Sequence, residues 1–125
     1  MENPIPALRD TRDPLTGLLD RAAFRALLDM ERERSARSHR PLGLILFDID
    51  RFKVVNYGYG VRHGDALLMS IADLTFKTLR DTDYLGRWGG QEFLCLLPNT
   101  DKAATEELAE RLRRTIEAAS VSHAE

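Results

Sequence analysis

The spacing of apolar residues changes along the chain, and each change predicts an element. After Asp20, the residues Ala22, Ala23, Phe24, Leu27, Leu28 and Met30 fall on one side of a helix over about 21–38, with Asp20 as its N-cap. The far end of that helix, Glu31-Arg32-Glu33-Arg34, reads as a solvated charged face. Pro41 breaks it. Leu42-Gly43-Leu44-Ile45-Leu46-Phe47 follows and closes on Asp48-Ile49-Asp50. A continuous apolar run of that length predicts a central strand buried on both faces.

A glycine-punctuated stretch comes next, Asn56-Tyr57-Gly58-Tyr59-Gly60 and then Gly64-Asp65. From Ala66 to Leu79 the helical period returns, with Leu67, Leu68, Ile71, Leu74 and Phe76 on its core side. Two apolar runs, 84–88 and 92–97, flank Gly89-Gly90 and predict a hairpin, since glycine accepts the positive φ of tight turns. Thr100 is positioned to cap a last helix to about Ala118, with Ala103, Ala104, Leu108, Leu112 and Ile116 inward. The order helix, strand, helix, hairpin, helix predicts an α/β fold, an α+β sandwich. Its central antiparallel or mixed sheet is flanked by helices that cover one face.

Composition narrows the function more than the fold. At 125 residues and 14.2 kDa the chain holds one domain, with 1–12, which includes Pro4 and Pro6, as a linker or tail. A net charge of -2, from 18 basic and 20 acidic residues, argues against a partner bound through a nucleic-acid backbone. Cys95 is the single cysteine and lies in an apolar run, so it predicts a buried, inert thiol and excludes an internal disulfide. No apolar stretch approaches the ~20 residues of a membrane span, and Met1 to Asp13 lacks the pattern of a secretion signal. A cytoplasmic setting without direct membrane contact is expected.

The candidate chemistry gathers at the end of the first strand. Asp48 and Asp50 lie two residues apart, so continued extended geometry projects both carboxylates from one face. Carboxylates there suit a hard cation shared with substrate phosphates. Asp48 is read as a ligand; for Asp50, capping the following turn is an equal alternative. Lys53 near the same edge can neutralise phosphate charge, although an isolated lysine there is more often a surface residue. Gly89-Gly90 allows a phosphate to approach the backbone, beside the polar Gln91-Glu92; taken alone it is an ordinary tight turn.

These pieces resemble one family in order and spacing. Asp13-Pro14-Leu15-Thr16-Gly17-Leu18 is similar to its D-x-L-T-G-L opening, and Phe47-Asp48-Ile49-Asp50-Arg51-Phe52-Lys53-Val54-Val55-Asn56 to its F-D-I-D-x-F-K-x-x-N block. Tyr59-Gly60 with Gly64-Asp65 is similar to Y-G-x-x-x-G-D, and Arg87-Trp88-Gly89-Gly90-Gln91-Glu92-Phe93 to the R-[YFW]-G-G-[DE]-E-F signature. The resemblance is to the GGDEF domain family, whose active members are diguanylate cyclases that condense two GTP into cyclic di-GMP. It implies a nucleotidyl-cyclase-like sheet with a ferredoxin-like core. It also implies that 13–125 is a GGDEF domain lacking the usual C-terminal strands.

The resemblance further implies roles for particular residues. Asp48 and the Ile49 carbonyl hold Mg²⁺, with Gln91 as a doubtful third ligand. Amides near Arg51 and Phe52 cradle phosphate, which Lys53 touches. Asn56 and Asp65 read guanine, and Gly89 and Gly90 let the nucleotide lie against the hairpin. Asp48, Lys53 and Glu92 form the catalytic set. Each domain binds one GTP, so turnover needs a homodimer, and an upstream sensory domain is expected. Arg80-Asp81-Thr82-Asp83 resembles the R-x-x-D inhibitory site, where Arg80 and Asp83 bind cyclic di-GMP.

This chain departs from the pattern at two positions. Gln91 stands where active members carry Asp or Glu, and Tyr57 where Asp commonly follows the asparagine. An amide coordinates without supplying negative charge, so activity is expected to be weak or lost. The alternative is an inactive module that binds GTP or cyclic di-GMP through Arg80 and Asp83.

Overall fold

The structure, a computed structural model, describes residues 12–49 and 60–124. Asp20, in an extended conformation, accepts from the Ala23 amide at 3.0 Å and caps helix α1 (Arg21–Ser38). His39 closes the helix in the left-handed region, φ 60°, with its amide donating to the Ser35 carbonyl. Ala23, Phe24 and Leu27 are buried as their spacing predicts. Glu31 is buried as well, which corrects its reading as part of a solvated face. Its carboxylate accepts from the Tyr84 hydroxyl at 3.2 Å and pairs with Arg34 at 3.6 Å. A charge inside a fold persists only with such partners, and the tyrosine comes from a strand remote in sequence.

Three strands lie among the described residues: β1 (Leu42–Asp48), β2 (Tyr84–Arg87) and β3 (Glu92–Pro98). Their order is β1-β3-β2 and both pairings are antiparallel. The central position therefore belongs to β3, whose residues from Phe93 to Leu97 are all buried. The sequence suggested β1 for that place. Instead β1 alternates: Gly43 and Ile45 are buried, whereas Leu44 and Leu46 are 46% and 59% exposed. Hydrophobicity reports what a residue tolerates, while neighbours decide what it receives.

The alternation of β3 divides the core between two helix layers. Phe93, Cys95 and Leu97 pack with Ile45 and with Leu67, Leu68, Ile71 and Leu112, from α2 (Val61–Thr78) and α3 (Lys102–Ala124). Leu94 and Leu96 pack on the opposite face with Leu19, Ala23, Phe24 and Leu27. Helices thus cover both faces of the sheet rather than one. Full burial of each such side chain contributes about 1.5–3 kcal/mol. No helix among the described residues is long and apolar enough to cross a membrane.

Both later helices differ from their predicted bounds. Helix α2 begins five residues early because Gly60, at φ 91°, turns the chain into it, and the Gly64 amide bonds to the Gly60 carbonyl. Gly64 and Asp65 consequently lie inside the helix. Phe76 is 66% exposed, although its spacing marked it as core. In α3 the cap is Asp101, whose Oδ1 accepts from the Ala104 amide at 2.8 Å, and not Thr100. Ala103 and Ala104 are exposed, while Leu112 is buried and Leu108 and Ile116 pack against the same core.

Gly43 sets how closely α3 lies on β1. A methyl group at this position would collide with the Thr105 hydroxyl and approach Leu97 Cβ to 3.4 Å. Gly43→Ala should therefore destabilise the fold by about 1–3 kcal/mol through overpacking. Combining it with Thr105→Ala should recover most of that loss, as urea denaturation of both singles and the double would reveal; additive losses would contradict the contact.

Candidate functional site

The antiparallel register brings the end of β1 against the beginning of β3. Asp48 lies opposite Glu92, and the Ile49 amide donates to the Gln91 carbonyl at 3.0 Å. Asp48 is exposed and Glu92 half-buried. Residues directly opposite in an antiparallel pair point to the same face, so two carboxylates share one edge of the sheet. Asp48, Ile49, Gln91 and Glu92 are thereby assembled in one place. Asp65 sits half-buried on the second turn of α2. The remaining residues singled out by sequence, Asp50, Arg51, Phe52, Lys53, Asn56 and Tyr57, lie outside the described residues.

The hairpin tip is shaped by contacts more than by backbone freedom. Neither Gly89 nor Gly90 takes a positive φ, contrary to the expectation for a tight glycine turn. The tip spans Trp88 to Gln91, and the Trp88 amide donates to the Glu92 carbonyl at 2.8 Å. A four-residue loop does not demand the left-handed conformations of a two-residue one. Gly89 is constrained differently: a Cβ there would strike the Glu92 carboxylate, which folds back over it. Gly90 faces open space. Of the two glycines, only Gly90 offers bare backbone to a ligand.

Two residues that sequence reasoning used only as motif letters hold this tip in place. Arg87 Nη1 reaches both oxygens of Asp13, at 3.0 and 3.1 Å, while its Nε and Nη2 donate to the Gly90 carbonyl at 3.3 and 2.6 Å. Asp13 also accepts from the Thr16 amide and hydroxyl at 2.8 and 2.7 Å, within a turn completed by Gly17 at φ 75°. The Arg87 amide bonds to the Leu19 carbonyl. Beside them, Arg21 lies 4.4 Å over the Trp88 ring, which makes a T-shaped contact with Phe24, the ring centroids 6.3 Å apart. The separation of Asp13 and Arg87 in sequence hid this pairing, although each opens a motif.

A second cluster occupies the other end of β3, six residues from Glu92 and so roughly 20 Å away. Arg80 donates to Asp83 through its amide at 2.9 Å, Nε at 3.1 Å and Nη2 at 2.8 Å. The hydrogen bonding that the Arg80 side chain donates to Asp83 raises the Arg80 pKa above its ordinary value. The Asp83 side chain is 1% exposed, against 54% for Arg80. Between the two ends, burial and the nearby Asp83 charge push the Cys95 thiol up to about 12, which makes it inert as predicted.

The family described as Diguanylate cyclase, GGDEF domain matches residues 10–125. Diguanylate cyclase DgcP of Pseudomonas aeruginosa is 45% identical over 106 residues, 85% of this chain and 16% of that protein. The diguanylate cyclase SiaD of Pseudomonas aeruginosa, solved with its activator SiaC, superposes with a TM-score of 0.80 at 42% identity. That match covers 87% of this chain and 43% of the other. The GGDEF domain of DgcB from Caulobacter crescentus, solved with c-di-GMP, gives a TM-score of 0.80 at 28% identity over 82% of this chain and 60% of the other. This chain spans less than two thirds of each.

The Arg87–Asp13 pair carries a pH signature. Burial alone would raise the Asp13 carboxyl, but hydrogen bonds from Thr16 and Arg87 outweigh it and hold the group below its ordinary 3.8. A lowered folded value means that the pair's stability is complete above 3.8 and lost as pH falls through the folded pKa. Asp13→Ala leaves Arg87, 17% exposed, without its partner. We expect it to cost about 3 kcal/mol at pH 7. That difference should shrink as unfolding is followed into acid, and a cost independent of pH would exclude an ionic origin.

Proposed function

The chain belongs to the GGDEF family, and from that premise we propose that it binds GTP with Mg²⁺ and converts it slowly to cyclic di-GMP. The observation that carries this reading is the opposition of Asp48 and Glu92. Like charges directly across a strand pair are destabilising unless a cation lies between them. Carboxylate, backbone carbonyl and amide oxygens are the donors Mg²⁺ favours, so Asp48 and Ile49, with Gln91 beside them, would hold that ion, and Glu92 would face it across the pair without ligating it. When bound, the ion would neutralise phosphate charge and polarise the phosphoryl group.

The chain's own residues would supply positioning. Gly90 leaves room for the nucleotide, and Lys53, Phe52, Asn56 and Asp65 would take phosphate and guanine as the family resemblance implies. The 3′-hydroxyl of one GTP would attack the α-phosphorus of the other with pyrophosphate leaving, and we assign the departing hydroxyl proton to Glu92. Two domains must meet for this, each with its own GTP, in a cytoplasmic protein fed by an upstream sensory segment. Gln91 limits the rate because a neutral oxygen replaces an anionic one. A second reading, a regulatory module, is favoured by Arg80, which is already braced for an anion at the opposite end of β3.

The test is GTP turnover at high protein concentration with Mg²⁺, followed by chromatography. Slow cyclic di-GMP formation is expected, with Gln91→Glu faster by about tenfold, some 1.4 kcal/mol off the barrier. Absence of product from both proteins would remove the enzymatic reading and leave the regulatory one to calorimetry with cyclic di-GMP.

A further inference from the structure

Because Asp101 caps α3, the Thr100 hydroxyl is left for another purpose. Thr100 is 8% exposed, its amide donates to the Pro41 carbonyl at 3.1 Å, and its hydroxyl donates to the Pro98 carbonyl at 3.0 Å. The same hydroxyl oxygen accepts from Arg80 Nη2 at 2.6 Å, and Nη2 also reaches the Pro98 carbonyl at 3.1 Å. A hydroxyl that donates while it accepts is polarised and holds its partner more firmly. Thr100 and Arg80 are 20 residues apart, on different sides of the hairpin.

A guanidinium carries five N–H groups. In Arg80 the Nε and Nη2 groups are all directed inward, to Asp83, Pro98 and Thr100. The two N–H groups on Nη1 make no hydrogen bond among the described residues, on a side chain that is 54% exposed. Asp83 is in the opposite condition. Its carboxylate already accepts three hydrogen bonds from Arg80 and is 1% exposed, so no ligand reaches it while that pairing stands.

We propose that Thr100 is a positioning residue for Arg80: together with Asp83 it holds the guanidinium in the free protein, with Nη1 turned toward the phosphate of an arriving dinucleotide. This rests on the reading of the Arg80–Asp83 corner as a cyclic di-GMP site, and adds Thr100 to it. An arginine fixed before binding loses little freedom when the anion arrives. Thr100 thereby sets affinity without touching the ligand.

Two measurements on the same proteins test it. Calorimetry with cyclic di-GMP should give about tenfold weaker binding for Thr100→Val, the loss of one hydrogen bond to a charged group. Thr100→Ser, which restores the hydroxyl, should bind as wild type does. Nitrogen NMR of the Arg80 guanidinium should give separate Nη signals in the wild type, as expected when rotation is blocked. They should coalesce in both Thr100→Val and Asp83→Asn. Retained affinity in Thr100→Val, or Nη signals unchanged by it, would overturn the positioning role. Signals unchanged by Asp83→Asn would show that Asp83 does not hold the free guanidinium and would overturn its share in the bracing. If the wild type binds no cyclic di-GMP, the ligand half falls with the reading beneath it, and the NMR result alone decides whether Thr100 holds Arg80.

Discussion

The guanidinium of Arg87 is the constraint on which the signature end of the molecule depends. It grips Asp13 with one nitrogen and the Gly90 carbonyl with the other two, and so ties the turn before α1 to the tip of the hairpin. Both side chains are largely buried, a setting in which the unpaired charge would be costly. Without that link the tip keeps, among the described residues, the bonds of the Trp88, Gly89 and Ile49 amides and the contacts of the Trp88 ring with Arg21 and Phe24. The Asp48–Glu92 opposition needs a fixed tip, because it is a matter of register at the first residue of β3.

The sheet then relates the two proposed sites. Strand β3 starts at Glu92, beside the paired carboxylates, and ends at Pro98, whose carbonyl receives Arg80. Its interior residues are buried on both faces. A fully packed strand moves as one piece, so the two ends share a rigid body, while the groups at each end differ in exposure and charge.

What could be read in the sequence was what local chemistry decides. Asp20 announces its helix because a cap and its amide lie three residues apart, and the bounds of α1 follow. The hairpin was legible for a similar reason, although its glycines serve for contact instead of for φ. Partnerships across the fold were not. Glu31 looks solvated until Tyr84 arrives, and Thr100 looks like a cap until Arg80 reaches it. The central place of β3 could not be told from that of β1, since both are runs of leucine and similar residues; only pairing separates them. At the candidate site, Asp48 and Glu92 were legible through motif spacing, whereas the Asp13–Arg87 tie required the fold.

Trp88 gives the molecule an optical property of its own. It is the chain's single tryptophan, in contact with the Arg21 cation and the Phe24 ring one residue before the glycine pair. Indole emission depends on the charges and polarity around the ring. All of the tryptophan fluorescence of this protein therefore originates at the rim of the signature loop, and its colour is set by the neighbours that hold that rim.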